Sequence, residues 1–313
     1  MAEFAVAVKR GRLSGAARQE IAQLMAQAEA ADGVAPVSEA PRLALDAGDR
    51  DWTHFLAYGD RRLVGYAVAD PGFAGVELVV AQGARRQGVG RLLATRIAAA
   101  APGPKVKGWA HGALRPATGF AAALGGRPVR ELAMMSSRSL LGPGVPPLRP
   151  DRAAPPVWPL RPFNRGQDTE SWVVLNAAAF AAHPEQGALT GRDLDRRLAQ
   201  PWYTPGDLIL AEAPKLKGGT SSAAGYVWVK IEDPVSGTGE IYAIGVHPDA
   251  QGSGLGTVLL DAGLRHLVER GARAAVLYVE GDNLPALRLY RRFGFEVSRT
   301  DALYAWSLNE RDR

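Results

Sequence analysis

One strand–turn–helix pattern occurs twice in this chain, and that repeat restricts the possible fold more than any other feature. In the second half, Ile241-Tyr-Ala-Ile-Gly-Val246 reads as a strand that runs into Gln251-Gly-Ser-Gly-Leu-Gly256 at the head of an apolar helix. In the first half, Glu77-Leu-Val-Val80 precedes Arg85-Arg-Gln-Gly-Val-Gly90, with a helix expected from Arg91 to Ala100. Val80, Gly88 and Gly90 match Val246, Gly254 and Gly256 at one constant offset. Pro116-Ala117 and Gly125 match Pro285-Ala286 and Gly294 at a second, slightly larger offset, a drift that one shorter loop explains. An internal duplication accounts for 313 residues better than two unrelated domains, and each copy is long enough to bury its own core.

Glycines at a strand-to-helix turn let backbone N–H groups close on a phosphate, whose charge the helix N-terminus favours. The dinucleotide fingerprint needs a third glycine and a later acid, and the Walker fingerprint needs Gly-Lys-Ser/Thr; neither fits. In the second half a further strand, Ala274 to Glu280, leads to Asn283 and then Tyr290-Arg-Arg-Phe-Gly-Phe295. With Gln251, Gly254, Gly256, Asn283, Tyr290, Gly294 and Phe295 in place, the stretch from Ile241 to Phe295 resembles the GNAT superfamily of acetyl-CoA-dependent N-acetyltransferases. The resemblance implies an α/β chain of two tandem GNAT domains, each a twisted mixed central sheet flanked by helices. The expected division is 1–142, a proline-rich linker 143–162, and 163–313.

The halves are not chemically equal. At the two offsets Glu240 faces Ala74 and Tyr290 faces Ala121, so the first half reads as a degenerate copy that keeps a nucleotide cradle and lacks an acid–base pair. Amide formation from a thioester needs a neutral amine, a polarised carbonyl and a proton for the departing thiolate. Taken alone, Glu240 is an exposed acid at a strand start and Tyr290 a core aromatic packed with Phe293. Beside the resemblance, Glu240 is expected as general base and Tyr290 as general acid, with backbone N–H groups near Ile244 to Val246 polarising the carbonyl. Asn283 reads both as a helix cap and as a contact to the pantetheine arm, which in GNAT folds runs between two splayed parallel strands.

Composition narrows the chemistry further. No cysteine is present, so the transfer cannot pass through an acyl-cysteine, and Cys-based metal sites and disulfides are excluded. The five histidines show no metal spacing, and no metal is expected; His111 and His183 read as surface or loop residues. A net charge of +5 without a basic run gives nucleic-acid binding little support. Neither an apolar run of membrane length nor a signal core at Met1 to Arg12 is seen, so a cytoplasmic protein without membrane attachment is expected. Eight prolines between Pro143 and Pro162 predict a stiff connector without helix or strand. Each half is expected to begin with a helix: one capped by Ser14 and stopped at Asp32-Gly33, the other capped by Asp168 and ended by His183-Pro184. Strands are expected at Phe55 to Tyr58, Leu63 to Val68, Leu208 to Ala211 and Tyr226 to Ile231.

Loop signatures along nearly the whole chain are more specific. They include Asp32-Gly-Val-Ala-Pro-Val37, Trp109-Ala-His-Gly112, Asn176-Ala-Ala-Ala-Phe180 leading to His183-Pro-Glu-Gln-Gly187, and Leu277-Tyr-Val-Glu-Gly-Asp-Asn283. These resemble the mycothiol-forming family of tandem GNAT enzymes. That resemblance implies acetyl-CoA as donor and the cysteinyl amine of a cysteinyl-glucosaminyl-inositol as acceptor. It implies acceptor contacts from Glu39, Glu185, Lys230, Glu240 and Tyr278; Lys230 alone would read as an exposed strand lysine, and Glu39 and Glu185 as loop acids after a first helix. The productive cofactor would be held by Ile244, Gly245, Val246, Gln251, Gly252, Ser253, Gly254, Leu255, Gly256, Thr257, Asn283, Leu284, Pro285, Ala286, Leu287 and Arg288. A second acetyl-CoA would be held in the first half by Leu78, Val79, Val80, Arg86, Gln87, Gly88, Val89, Gly90 and Arg91. A tandem GNAT enzyme acting on an aminoglycoside or a peptide N-terminus, and a non-catalytic acyl-CoA sensor, remain as alternatives. The oligomeric state is left open, and a monomer is compatible with the sequence.

Overall fold

A computed structural model describes residues 3–48, 51–137, 139–140, 158–183, 186–212 and 223–307. The first half runs β1 (Phe4–Arg10), α1 (Gly15–Asp32), α2 (Glu39–Ala47), β2 (Thr53–Gly59), β3 (Arg62–Ala69), β4 (Val76–Val80), α3 (Val89–Ala100), β5 (Lys105–Ala110), α4 (Arg115–Ala123) and β6 (Arg127–Ser137). The second runs β7 (Leu160–Pro162), α5 (Arg165–Ala179), α6 (Gly191–Leu198), β8 (Leu208–Glu212), β9 (Ala223–Lys230), β10 (Thr238–Val246), α7 (Leu255–Glu269), β11 (Ala274–Glu280), α8 (Leu284–Arg292) and β12 (Glu296–Ser307). The duplication persists in detail. Helices α4 and α8 begin and end at the offset of the Pro-Ala pairs, and the short 3₁₀ turns Gln82–Ala84 and Pro248–Ala250 stand at that of the glycine turns.

The compact units are Met1–Leu132 with Arg299–Arg313, and Ala133–Ser298. The boundaries fall inside β6 and β12, so each unit includes a piece of strand from the other half of the sequence, a division that differs at both ends from the sequential one. In the first unit β1 to β4 are antiparallel neighbours, β4 and β5 meet in parallel at Val76↔Gly108, and Ala302–Ser307 of β12 pair antiparallel with β5. Trp306 packs with Phe55, Leu93, Ile97 and Val106 in that core. In the second unit the strand order is β6-β11-β10-β9-β8-β7. Ala133 and the fully buried Met135 of β6 join Leu259, Leu264, Leu277 and Phe295 in its core.

Several local expectations hold. Ser14 accepts from the Ala17 amide at 3.2 Å, and Gly33 closes α1 at φ 70°, a conformation that glycine adopts without the Cβ penalty. Others need correction. Strands β1 and β7 precede the first helix of each half, so neither half begins with a helix. The cap of α5 is Asn164, which accepts from the Gly166 amide at 3.0 Å. Asp168 lies inside that helix, where it accepts from the Asn164 amide and forms a bidentate pair with Arg161 at 2.7 and 2.8 Å. The end of the proline-rich stretch is a strand, Leu160–Pro162, paired with β8; proline is tolerated there because β7 closes the order at an edge. Among the described residues, no helix is long and apolar enough to cross a membrane.

Candidate active site

Strand β10 aims the second cradle. On one side it pairs with β9, with a register shift between Ile241 and Ala243, the signature of a bulge. On the other side its parallel register with β11 runs only from Thr238↔Ala274 to Ile241↔Leu277. Beyond Ile241 the strands part, leaving the β11-facing edge of Ile244, Gly245 and Val246 for a ligand. Gly245 is required here because a Cβ would strike the Tyr226 ring.

The turn after β10 repeats the one after β4. Gly252 and Gly254 take φ 76° and 87°; Arg86 and Gly88, their counterparts in the first half, take 64° and 93°. Gln251 donates from Nε2 to the Val246 carbonyl at 3.4 Å, and Arg85, its counterpart, donates from Nε to the Val80 carbonyl at 3.1 Å. Ser253 donates to the Ala250 carbonyl at 2.6 Å, which tightens the second turn. A Cβ built on Gly88 or Gly252 meets nothing within 4 Å, so both cradles have room for a phosphate. Gly256 and Thr257 lie in the first turn of α7, and Gly90 and Arg91 in that of α3. The side chains of Val89, Leu255 and Leu287 face the cores, which leaves only their backbone for a cofactor. Gln87 spends its amide on the Gly83 carbonyl at 2.7 Å.

Asn283 caps α8, accepting from the Ala286 amide at 3.2 Å, with Pro285 in the first turn and Leu284 exposed beside it. Arg288 follows one turn later. Tyr290 is buried in α8, in one core cluster with Phe293, and packs edge-on against Phe295 at 6.2 Å. Burial pushes its phenol up to about 12, so it carries its proton throughout the physiological range. Glu240 is half-buried on β10, opposite Lys230 on β9 and Val276 on β11. Lys230 is not an exposed strand lysine. It is buried, 2.9 Å from Glu232, with its ammonium 5.1 Å from the Trp202 ring centre and 5.6 Å from that of Tyr242. Two aromatic faces compensate a cation for part of its lost water. Arg197 fixes Tyr242 by donating to its hydroxyl at 2.8 Å. Tyr278 is exposed on β11, and Glu280 two residues on pairs with His183 at 3.3 Å. Glu185 lies outside the described residues.

The first unit holds a cleft of about 550 Å³ lined by Leu78, Val79, Val80, Arg86, Gly88, Gly90 and Arg91, together with Val34–Pro36, Trp109 and Phe120; Gln87 and Val89, also expected there, are not part of its lining. Glu39 opens α2 rather than lying in a loop. His111, expected at the surface, is instead held between two carboxylates, with Nε2 3.3 Å from Glu77 and Nδ1 3.1 Å from Asp301. Burial alone would lower its pKa, but the paired carboxylates outweigh burial and raise it to about 9. Asp301, whose burial works the other way, is held below the usual carboxylate range by His111 and the Gly112 amide. Spacing could not reveal this cluster, because Asp301 arrives from the far end of the chain.

The pattern of the Acetyltransferase (GNAT) family matches residues 181–295. The chain is 45% identical to a mycothiol acetyltransferase of Actinosynnema mirum over 295 residues, covering 92% of this chain and 95% of the relative. It is 41% identical to a mycothiol acetyltransferase of Streptomyces avermitilis, covering 93% and 92%. In fold it is similar to a tandem GNAT protein from the clavulanic acid biosynthesis pathway, with a TM-score of 0.69 and 19% identity over 97% and 98% of the two chains. A GCN5-related N-acetyltransferase from Sphaerobacter thermophilus gives 0.61 and 22% over 97% and 95%.

Proposed function

The chain belongs to the mycothiol acetyltransferase family of GNAT enzymes, and on that premise we propose that its second unit acetylates the cysteinyl amine of cysteinyl-glucosaminyl-inositol, the last step of mycothiol formation. It is an N-acetyltransferase of mycothiol biosynthesis. When bound, acetyl-CoA supplies the thioester carbonyl and the thiol leaving group. The observation that carries the reading is the parting of β10 and β11 directly before the Gly252–Gly256 turn, with Glu240 on one strand and Tyr290 on the helix beyond the other.

Glu240 takes a proton from the acceptor ammonium, freeing the nitrogen lone pair. The amides of Ile244 to Val246 polarise the thioester carbonyl as the freed nitrogen attacks its carbon. Tyr290 delivers its proton to sulfur as the C–S bond breaks, and the second proton, shed by the attacking nitrogen, passes through water to restore the phenol. The N-terminal amides of α7 face the pyrophosphate, and Asn283 to Arg288 flank the pantetheine and nucleotide. Within the second unit Glu185, Lys230 and Tyr278 complete the acceptor contacts, the carboxylate meeting sugar hydroxyls and the ammonium. A second acetyl-CoA occupies the first-unit cleft without being turned over. The protein acts in the cytoplasm on a small molecule, with no nucleic-acid or membrane partner.

The test is CoA release from acetyl-CoA against a panel of amines: the cysteinyl pseudodisaccharide, the same sugar without cysteine, an aminoglycoside and a peptide with a free N-terminus. The cysteinyl compound is expected to give the highest kcat/KM by at least tenfold. A higher value for the aminoglycoside or the peptide contradicts the assignment, and binding without release on any amine makes the chain a sensor.

A further inference from the structure

In the first unit the segment Gly33–Ser38, which joins α1 to α2, is tied down at both ends. At the near end Asp32 takes both guanidinium nitrogens of Arg85 at 2.8 and 2.6 Å. Arg85 also donates to the carbonyl of Val80, so this tie is anchored to the cradle strand itself. At the far end Ser38 gives both its amide, at 2.5 Å, and its hydroxyl, at 2.6 Å, to the buried Glu77 carboxylate.

The second tie is unusual for its position. Ser38 is the N-cap residue of α2, and a serine there ordinarily accepts from the first-turn amides, which is worth about 1 kcal/mol. Its side chain makes no such cap. The hydroxyl is directed to Glu77, and Glu77 is in turn faced by His111, which Asp301 holds from the other side. Val34, Ala35 and Pro36, in the middle of the tied segment, form part of the cleft wall.

We propose that Asp32–Arg85 and Ser38–Glu77–His111 act as two staples that fix the Gly33–Ser38 segment as a closed wall of the first-unit cleft, so that the acetyl-CoA held there is enclosed and leaves only when the segment is released. Ser38, Glu77 and Asp301 are positioning residues that act through the wall they hold, whereas Asp32, Arg85 and His111 also line the cleft themselves. The inference rests on the reading that the first cradle binds acetyl-CoA.

The far staple also makes release depend on pH. His111 is faced by Glu77 on β4, by Asp301 on β12 with Arg299 3.5 Å behind it, and by the Trp109 ring on β5, over which Arg130 lies. A histidine freed of these carboxylates titrates near 6.5, and the paired one near 9. The raised value means the His111–Glu77 ion pair that steadies this staple is at full strength below about 6.5 and is lost as pH rises through 9, leaving Ser38 alone on Glu77.

The experiment uses the full chain carrying Gly254→Val, so that any CoA retained belongs to the first unit. It is loaded with labelled acetyl-CoA and chased with an excess of unlabelled acetyl-CoA, and the label remaining on the protein is followed from pH 6 to 9.5. Release is expected to accelerate at least fivefold across that range. At pH 7, Ser38→Ala and Glu77→Gln should each release at least fivefold faster than the parent and show a flattened pH profile. Ser38→Ala removes a hydroxyl that caps nothing, so it tests the idea even where Glu77→Gln folds poorly. If the parent retains no labelled acetyl-CoA, the cradle reading fails and takes the inference with it. If it retains acetyl-CoA but Ser38→Ala releases at the parent's rate or slower, at every pH, the staples are overturned and the cradle stands.

Discussion

Tyr290 and Glu240 sit in environments that suit opposite tasks. Burial keeps the phenol protonated up to about 12, so Tyr290 holds a proton to give throughout the assay range. Glu240 remains half-open on its strand, where a carboxylate can meet an ammonium. Glu240→Gln and Tyr290→Phe are each expected to lower kcat by on the order of a hundredfold or more, while the KM for acetyl-CoA changes little, because both act on protons rather than on phosphates. Steady-state kinetics with both substrates varied checks this, and turnover within twofold of the parent in both variants removes the assignment. An alkaline limb in kcat below pH 10 has to come from a group other than Tyr290. At this scale the sequence is readable where a residue belongs to a local motif, as Tyr290 and Asn283 do. It is silent where partners meet from afar: the Trp202–Tyr242 cage around Lys230 and the carboxylates on His111 leave no trace in spacing.

The capped helix α8 separates two roles of one side chain. Asn283 uses its side-chain oxygen on the Ala286 amide, and in the proposed function its amide nitrogen meets the pantetheine. Asn283→Asp keeps the cap and loses that donor; Asn283→Ala loses both. The first is expected to raise the acetyl-CoA KM several-fold with an unchanged melting temperature. The second should add a loss of about 1 kcal/mol for the cap, or about 2–4 °C for a unit of this size. Calorimetry and kinetics on the pair resolve the two contributions, and an unchanged KM in both variants leaves Asn283 a cap only. Elements with strong periodicity or a turn motif are legible in the sequence: α1, α3, β10 and β11 fall within a few residues of expectation. Asp168 reads as the cap of α5 because an acid near a helix start suits that role, yet Asn164 lies one turn earlier and Arg161 draws Asp168 inward. The edge strand β7 is hidden by its prolines, which argue against a strand only when its position in the sheet is unknown.

Over the whole molecule, the two halves of the sequence are not the two compact units. The second unit includes Ala133–Ser137 of β6, with Met135 fully buried in its core, and Leu140, whose amide donates to the Arg273 carbonyl at 2.7 Å. Losing a fully buried methionine side chain alone costs about 2–5 kcal/mol. Removing the strand also leaves β11 with an open edge. A chain starting at Arg152 is therefore expected to aggregate, whereas one running from Ala133 to Ser298 is expected to unfold cooperatively; circular dichroism melts of the two compare them directly, and a stable fold from Arg152 onward contradicts the division. The repeat offsets disclose the duplication, but which copy of a terminal strand fills which core depends on pairing at long range, and no local pattern encodes it. The central claim is that acetyl transfer belongs to the second cradle and not to the first. It is tested most directly by comparing Gly254→Val with Gly88→Val, two equivalent substitutions at glycines with φ 87° and 93°. Measured as acetylated cysteinyl product per enzyme, Gly254→Val should abolish transfer, while Gly88→Val should keep much of it and lose one bound CoA. Equal loss in both variants, each still folded, would contradict the account.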